Sequence, residues 1–274
     1  MSPISAEVRR LARARRGEAG IGGRRREFLA LGLASLFAVS SVSATTAQTR
    51  EEAFLAGQSL ECSGCELAGV SFKRRNLEGA DLSGANLKDV SFHHARLSGA
   101  NFSGANLALA NFNRANLTAA NFSGANLTEA MFFSAAASGA NFSGANLEGA
   151  KMGDVYLISA NLEGADLAGA DLGGGKLTNA RFARANLTGA DLREAALFRA
   201  DLTGASAEQV YFADAELRNA NLSGAVLRGS NFDGANLGDA NLSGADLTGA
   251  YLVRANLLNA DLTGTLMPDS TVHP

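Results

Sequence analysis

The sequence predicts an all-β solenoid, a rod of short stacked units, and three observations carry that prediction. A leucine or phenylalanine recurs at five-residue intervals from Leu67 to Leu262, and no insertion breaks the phase. Two residues before each stands a small residue, usually alanine, as in Ala100-Asn101-Phe102-Ser103-Gly104 and Ala245-Asp246-Leu247-Thr248-Gly249. The phenylalanines obey a longer period as well: Phe72, Phe92, Phe112 and Phe132 fall twenty apart, and so do Phe102, Phe122 and Phe142. A unit this short cannot bury its own apolar side, so it must stack on its neighbours.

Composition agrees with a thin, repetitive core. Hydrophobic residues make up 46% of the chain, which excludes a disordered polymer. Much of that fraction is alanine, and tryptophan is absent. The formal net charge of −3 hides an uneven distribution. Residues 1–47 hold eight Arg against three Glu, whereas the remainder holds 16 Lys and Arg against 24 Asp and Glu, a net of −8. The two segments need separate explanations.

Residues 1–47 are expected to be an export signal. Arg24, Arg25 and Arg26 precede Glu27, Phe28 and Leu29, and the apolar run Ala30 to Val39 follows. Val42-Ser43-Ala44 and Thr45-Thr46-Ala47 both suit a cleavage site. The run is too short to span a bilayer, which takes roughly 20 apolar residues. Arg25, Arg26, Phe28 and Leu29 together resemble the twin-arginine motif, which sends folded proteins across the bacterial inner membrane. That resemblance implies a periplasmic or secreted protein with no integral membrane segment once the signal is removed.

Residues 48–64 are expected to cap the rod, because an open solenoid end exposes unpaired backbone. Arg50–Gly57 is suited to a short helix, with Phe54 and Leu55 over the first coil. Cys62 and Cys65 follow in inward register, one in the Leu/Phe column and one in the alanine column. In an exported chain such a pair closes the cap, as a disulfide or as two small packed groups. No histidine follows Cys65 for haem attachment, and no second C-x-x-C completes a zinc site.

Residues 65–269 form the repeat region, with 40 consecutive units from Cys65 to Gly264. The units resemble the pentapeptide-repeat family, whose pattern is A-[DN]-L-x-x. The resemblance implies a right-handed quadrilateral β-helix with four units per coil, here about ten coils, and with the Leu/Phe and the small residue both pointing inward. The twenty-residue spacing of the phenylalanines supports that coil, since every repeat Phe in the Leu/Phe column then lies on the second or fourth face. At a strand spacing of about 4.8 Å, ten coils make a rod of roughly 48 Å. Glycine at the last unit position suits a turn that needs positive φ. Residues 270–274 form a short polar tail, too little to cover the last coil, and end-to-end homodimerisation through that coil is the expected consequence.

Departures from the pattern are the candidate functional positions. Ala137 and Ala207 leave the inner column short of volume, with Phe133 and Val210 near enough to fill the gaps. Outward departures gather on the second face, which reads Arg74, His94 and Arg114, then Phe133, then Asp154, Glu194 and Asp214. That face is the candidate partner surface, basic toward its start and acidic beyond. Met131, Phe133, Tyr156 and Ile158 meet near one corner as an apolar patch. The fourth face is nearly uniform, with Ser or Thr followed by Gly.

The chain carries no nucleophile–base pair, phosphate loop or dinucleotide fingerprint, so the expectation is a non-enzymatic protein without a cofactor. His93 and His94 are adjacent and make a poor metal pair. The family resemblance also implies an alternative, mimicry of duplex DNA toward DNA gyrase. Duplex DNA carries one charge per roughly 1.7 Å, about 28 over a 48 Å length. A net of −8 falls far short, and nucleic acid is not an expected partner either. A second alternative is a thiol–disulfide centre at Cys62 and Cys65. The favoured expectation is an exported structural or protein-binding scaffold with a protein partner.

Overall fold

The computed structural model describes residues 49–274, so the export motif at Arg25, Arg26, Phe28 and Leu29 lies outside the described residues. A seven-residue helix, α1 (Arg50–Ala56), opens the described chain. Thr49 and Glu52 form a reciprocal capping box at its start: Thr49 Oγ1 accepts from the Glu52 amide at 3.2 Å, and Glu52 Oε2 accepts from the Thr49 amide at 3.0 Å. Gly57 ends the helix in the left-handed region, with φ of 75°. Phe54 points into the first coil, fully buried, and meets Phe72 edge-on at 5.5 Å. Arg50 and Arg75 tie the helix down by donating to the Ser63 and Leu55 carbonyls at 2.8 and 3.3 Å.

Beyond the helix the backbone climbs in turns of four units. Parallel bridges join residues twenty apart, from Glu61↔Asp81 to Asp246↔Leu266. Within each unit two amides donate to the next coil, as Leu67 N to Asn86 O at 2.9 Å and Gly69 N to Lys88 O at 2.8 Å. One further bond closes the corner between successive units, as Ala80 N to Leu77 O at 3.1 Å. The ladder begins a unit earlier than the sequence pattern does, since Leu60–Gly64 already pairs upward with Cys62 in the inward column. Its inward column holds Cys62, which hides the unit from a pattern that looks for leucine.

The core is a stack of columns. Phe72, Phe92, Phe112 and Phe132 are stacked at 5.4, 5.1 and 4.9 Å, and Phe102, Phe122 and Phe142 at 4.8 Å on the opposite side. The two columns meet edge-on across the axis, at 5.6 Å for Phe92 and Phe102. Edge contacts of this kind match the ring quadrupoles, so the columns interdigitate.

One expectation about the core needs correction. Phe133 does not fill the gap at Ala137: it stays 45% exposed, and its ring lies over Gly153 of the next coil, where an added Cβ would touch it at 3.5 Å. A bulky ring on the outward column cannot cross the backbone, whatever the volume inside. At Ala207 the neighbouring Val210 is buried in the core, and a polar group closes the corner between them. Ser230, fully buried one coil above, donates from Oγ to the Ala207 carbonyl at 2.6 Å and accepts from the Val210 amide at 3.0 Å. Its hydroxyl takes the place of the usual corner bond, so both buried backbone groups stay satisfied.

The tail also does more than its composition suggests. It turns back and pairs antiparallel with the edge, Leu266 with Val272. Gly264 donates to His273 O at 2.9 Å and His273 to Thr265 O at 2.8 Å. Among the described residues the tail covers one side of the last coil, and Leu252, Leu257 and Leu262 remain partly exposed.

Candidate protein-binding face

The four sides of the rod differ in how their outward columns are held. On the fourth side an amide ladder runs up the rod, with Asn101 donating to Asp81, Asn121 to Asn101, Asn141 to Asn121 and Asn161 to Asn141 at 3.0–3.2 Å. Each acceptor oxygen also takes the amide two residues on, as Asn121 Oδ1 takes Ser123 N at 3.2 Å. The second side has Ser71, Ser91, Asn111, Met131, Lys151, Asp171, Asp191, Tyr211, Asn231 and Tyr251 in that column, so no such ladder can form. Asn111, Asp171, Asp191 and Asn231 still accept the amide two residues on, at 2.9–3.1 Å, but among the described residues no side chain of this column bonds its neighbour along the rod.

Backbone conformation separates the sides further. The last residue of every unit sits near φ of +60°, where glycine is favoured and other residues cost about 1 kcal/mol or more. On the fourth side nine of these ten positions are glycine, with Arg184 the exception. On the second side eight of ten carry a side chain: Arg74, His94, Arg114, Ser134, Asp154, Glu194, Asp214 and Arg254. The third side carries seven, four of them Asn or Asp, and the second side has three Asp or His among its eight, the types that tolerate this region best. This strained column escaped the sequence reading as a signal, although glycine counted by side would have exposed it.

The structure brings Arg74, His94 and Arg114 into one column of consecutive coils, because each step of twenty residues is one bridge. Lys73, His93 and His94 lie in the same patch, and the two imidazoles meet edge-on at 4.3 Å. His93 Nδ1 is shielded from solvent and has no hydrogen-bond partner among the described residues. His94 is held below the usual imidazole range, first by desolvation and then by the charges of His93, Arg114, Arg74 and Lys73. Among the described residues no carboxylate reaches ion-pair distance of Lys73, Arg74 or Arg114.

Further along the same face, Asp154, Glu194 and Asp214 continue that column, with Asp171 and Asp191 beside it. Asp191 is paired with Arg193, whose hydrogen bonds hold its carboxyl below the usual range. Phe133 sits between the two charged zones. Tyr156 and Ile158, 46% and 40% exposed, flank it around the corner. Near the end of the rod an open recess is bordered by Tyr211, Asn231, Tyr251 and Val253. The candidate partner residues thus share one face but divide it into a basic zone, an apolar waist and an acidic zone.

At the start of the rod Cys62 and Cys65 are joined, with Cα atoms 5.3 Å apart and both side chains buried. Both are buried in the same apolar cluster as Phe54 of α1.

Two family models cover the rod. The pentapeptide repeat region matches residues 85–182, and pentapeptide repeats in eight copies match residues 65–104, 165–204, 197–234 and 230–267. The chain is a member of the pentapeptide-repeat family. Among solved pentapeptide-repeat structures it is similar to HetL, a protein involved in heterocyst differentiation regulation from the cyanobacterium Nostoc sp. strain PCC 7120. Identity to HetL is 31% over 81% of this chain and 96% of that one, with a TM-score of 0.57. A thylakoid-lumen pentapeptide-repeat protein from Arabidopsis thaliana is 33% identical over 45% of this chain and 69% of its own, with a TM-score of 0.15. The plasmid-mediated fluoroquinolone resistance protein QnrB1 is 21% identical over 73% of this chain and 92% of its own, with a TM-score of 0.33. None of the curated proteins matches the chain. No helix among the described residues is long and apolar enough to cross a membrane.

Proposed function

We propose that this pentapeptide-repeat protein is an exported, non-enzymatic scaffold whose second face binds a protein partner. The observation that carries the reading is the strained column. Eight side chains stand on the second face where the fourth face keeps glycine almost throughout, and most of them are charged. Strain maintained along one side and absent from another supports a surface kept for contact. The filled interior leaves the outside of the rod as the place to bind anything. A duplex-mimicking surface needs an uninterrupted anionic stripe, whereas this face opens with Lys73, Arg74 and Arg114.

Export rests on the twin-arginine-like segment at Arg25–Leu29, and a periplasmic or secreted location follows from it. The partner reading is tested by retention of cell-envelope proteins on the immobilised chain. Arg74→Glu with Arg114→Glu is expected to abolish retention of a specific partner, while Ser103→Glu with Ser143→Glu on the fourth face leaves it intact. Equal retention by both variants would remove the second face from the account.

A further inference from the structure

The second face is complementary to its own reverse. Its first three coils expose Lys73, Arg74 and Arg114 with no carboxylate, a charge of +3 when His93 and His94 are neutral. From Lys151 to Asp214 it exposes Asp154, Asp171, Asp191, Glu194 and Asp214 against Lys151 and Arg193, a charge of −3. The coil between them is uncharged on this face and carries Met131, Phe133 and Ser134. Equal and opposite halves about an apolar waist are what a two-fold, self-pairing surface requires.

We infer that two copies of this chain pair side by side through the second face, with their rods antiparallel. This rests on the reading of that face as the contact surface and names its partner. The two-fold axis lies across the rod, between the levels of Phe133 and Gly153. Such an axis sets every column against itself and reverses the order of coils. Arg74 then meets the partner's Asp214, His94 the partner's Glu194, and Ser134 the partner's Asp154. Phe133 meets the partner's Gly153, where the missing side chain leaves room for a ring. Arg114 falls opposite the partner's Gly174, and in each chain the Asp154 carboxylate leans over Gly174, its Oδ1 2.7 Å from where a Cβ would stand.

This register gives the longest contact without a like-charged pair on the axis. Moving the partner one coil in one direction sets Asp154 against its own copy on the axis. Moving it the other way keeps Arg74 and Arg114 opposite carboxylates, Glu194 and Asp154, but sets Lys73 against Arg193 and leaves Asp214 beyond the contact. The chosen register engages eight coils, a strip about 38 Å long, with the two sheets about 10 Å apart. Gly153 and Gly173 keep the centre of that strip low. Among the described residues of one copy Lys73, Arg74 and Arg114 have no ion-pair partner, the state of a surface awaiting its complement.

Sedimentation and small-angle scattering of the purified chain test this. The expected particle at about 50 mM salt has twice the chain mass and a length along the rods of roughly twelve coils, about 58 Å. Raising salt to about 0.5 M dissociates it by screening. Arg74→Glu weakens the pair at least about tenfold, and Arg74→Glu with Asp214→Arg restores it. Both sites are exposed turn positions, so an unchanged melting temperature shows that folding is intact. A monomer at low salt, a particle about twice as long, or failure of the double variant to recover overturns the pairing. A monomeric chain that still loses an envelope partner on Arg74→Glu with Arg114→Glu overturns self-pairing alone. A monomer with unchanged retention overturns the contact surface as well.

Discussion

Phe122→Ala is expected to lower the stability of the rod by about 3–5 kcal/mol, among the largest losses available to a single truncation here. Its ring is stacked between Phe102 and Phe142, 4.8 Å from each, and takes the edges of Phe112 and Phe132 at 5.5 and 6.1 Å. Removing it opens a cavity in the middle of a close-packed column, which its neighbours cannot close without leaving their own stacks. Phe182 provides the comparison. It is just as buried but has Leu162 and Leu202 above and below it in the column, so Phe182→Ala loses the transfer energy without the ring contacts. Chemical denaturation of both variants checks the prediction, and Phe122→Ala is expected to be the less stable by about 1 kcal/mol. Because each coil touches only its neighbours, the loss is also expected to broaden the transition.

Phe54→Ala is the second large effect, and it separates two ways of closing the rod. The Phe54 ring is fully buried against Phe72 and covers the first coil, so its loss is expected to cost about 3 kcal/mol. The Cys62–Cys65 bond closes a loop of only four residues, for which chain entropy gives about 2 kcal/mol at most. Hydrophobic coverage therefore outweighs the covalent link. Hydrogen exchange measures the difference directly. Phe54→Ala is expected to release the amides of Cys62, Leu67 and Phe72 well before those of Phe122, whereas reduction of the intact chain changes them less. The opposite order would make the disulfide the working cap.

Much of the architecture was legible because one inward residue in five fixes the phase and a second period of twenty fixes the coil. The phenylalanine columns needed only those two numbers, and the rings stack where the spacing places them. Legibility ended where a residue's role depends on direction instead of period. Phe133 shares the chemistry of the core rings but occupies an outward position, and no volume deficit at Ala137 draws it through the backbone. Ser230 looks like an ordinary substitution in the alanine column. Its role lies in two backbone groups one coil below, which no linear pattern relates to it. The tail, Ser270–Pro274, has no periodicity at all, and its pairing follows from the unsatisfied edge it meets.

For the partner face the residue types could be read and their meaning could not. Arg74, His94 and Arg114 were recognisable as departures from the pattern. That they stand in a left-handed conformation on a side without an amide ladder is a property of the fold. The division into basic zone, apolar waist and acidic zone appears only when residues twenty apart are set in columns. Once in columns, the face can be compared with its own reverse, and the proposed pairing follows from that comparison.

Location in the cell tests the account most directly, because an exported scaffold and a cytoplasmic one answer to different partners. The measurement is fractionation of a twin-arginine-competent bacterium expressing the chain, with and without Arg25→Lys and Arg26→Lys. The account predicts a shortened protein in the periplasm that disappears from it in the double variant. Full-length protein in the cytoplasm, unchanged by the substitutions, would contradict it.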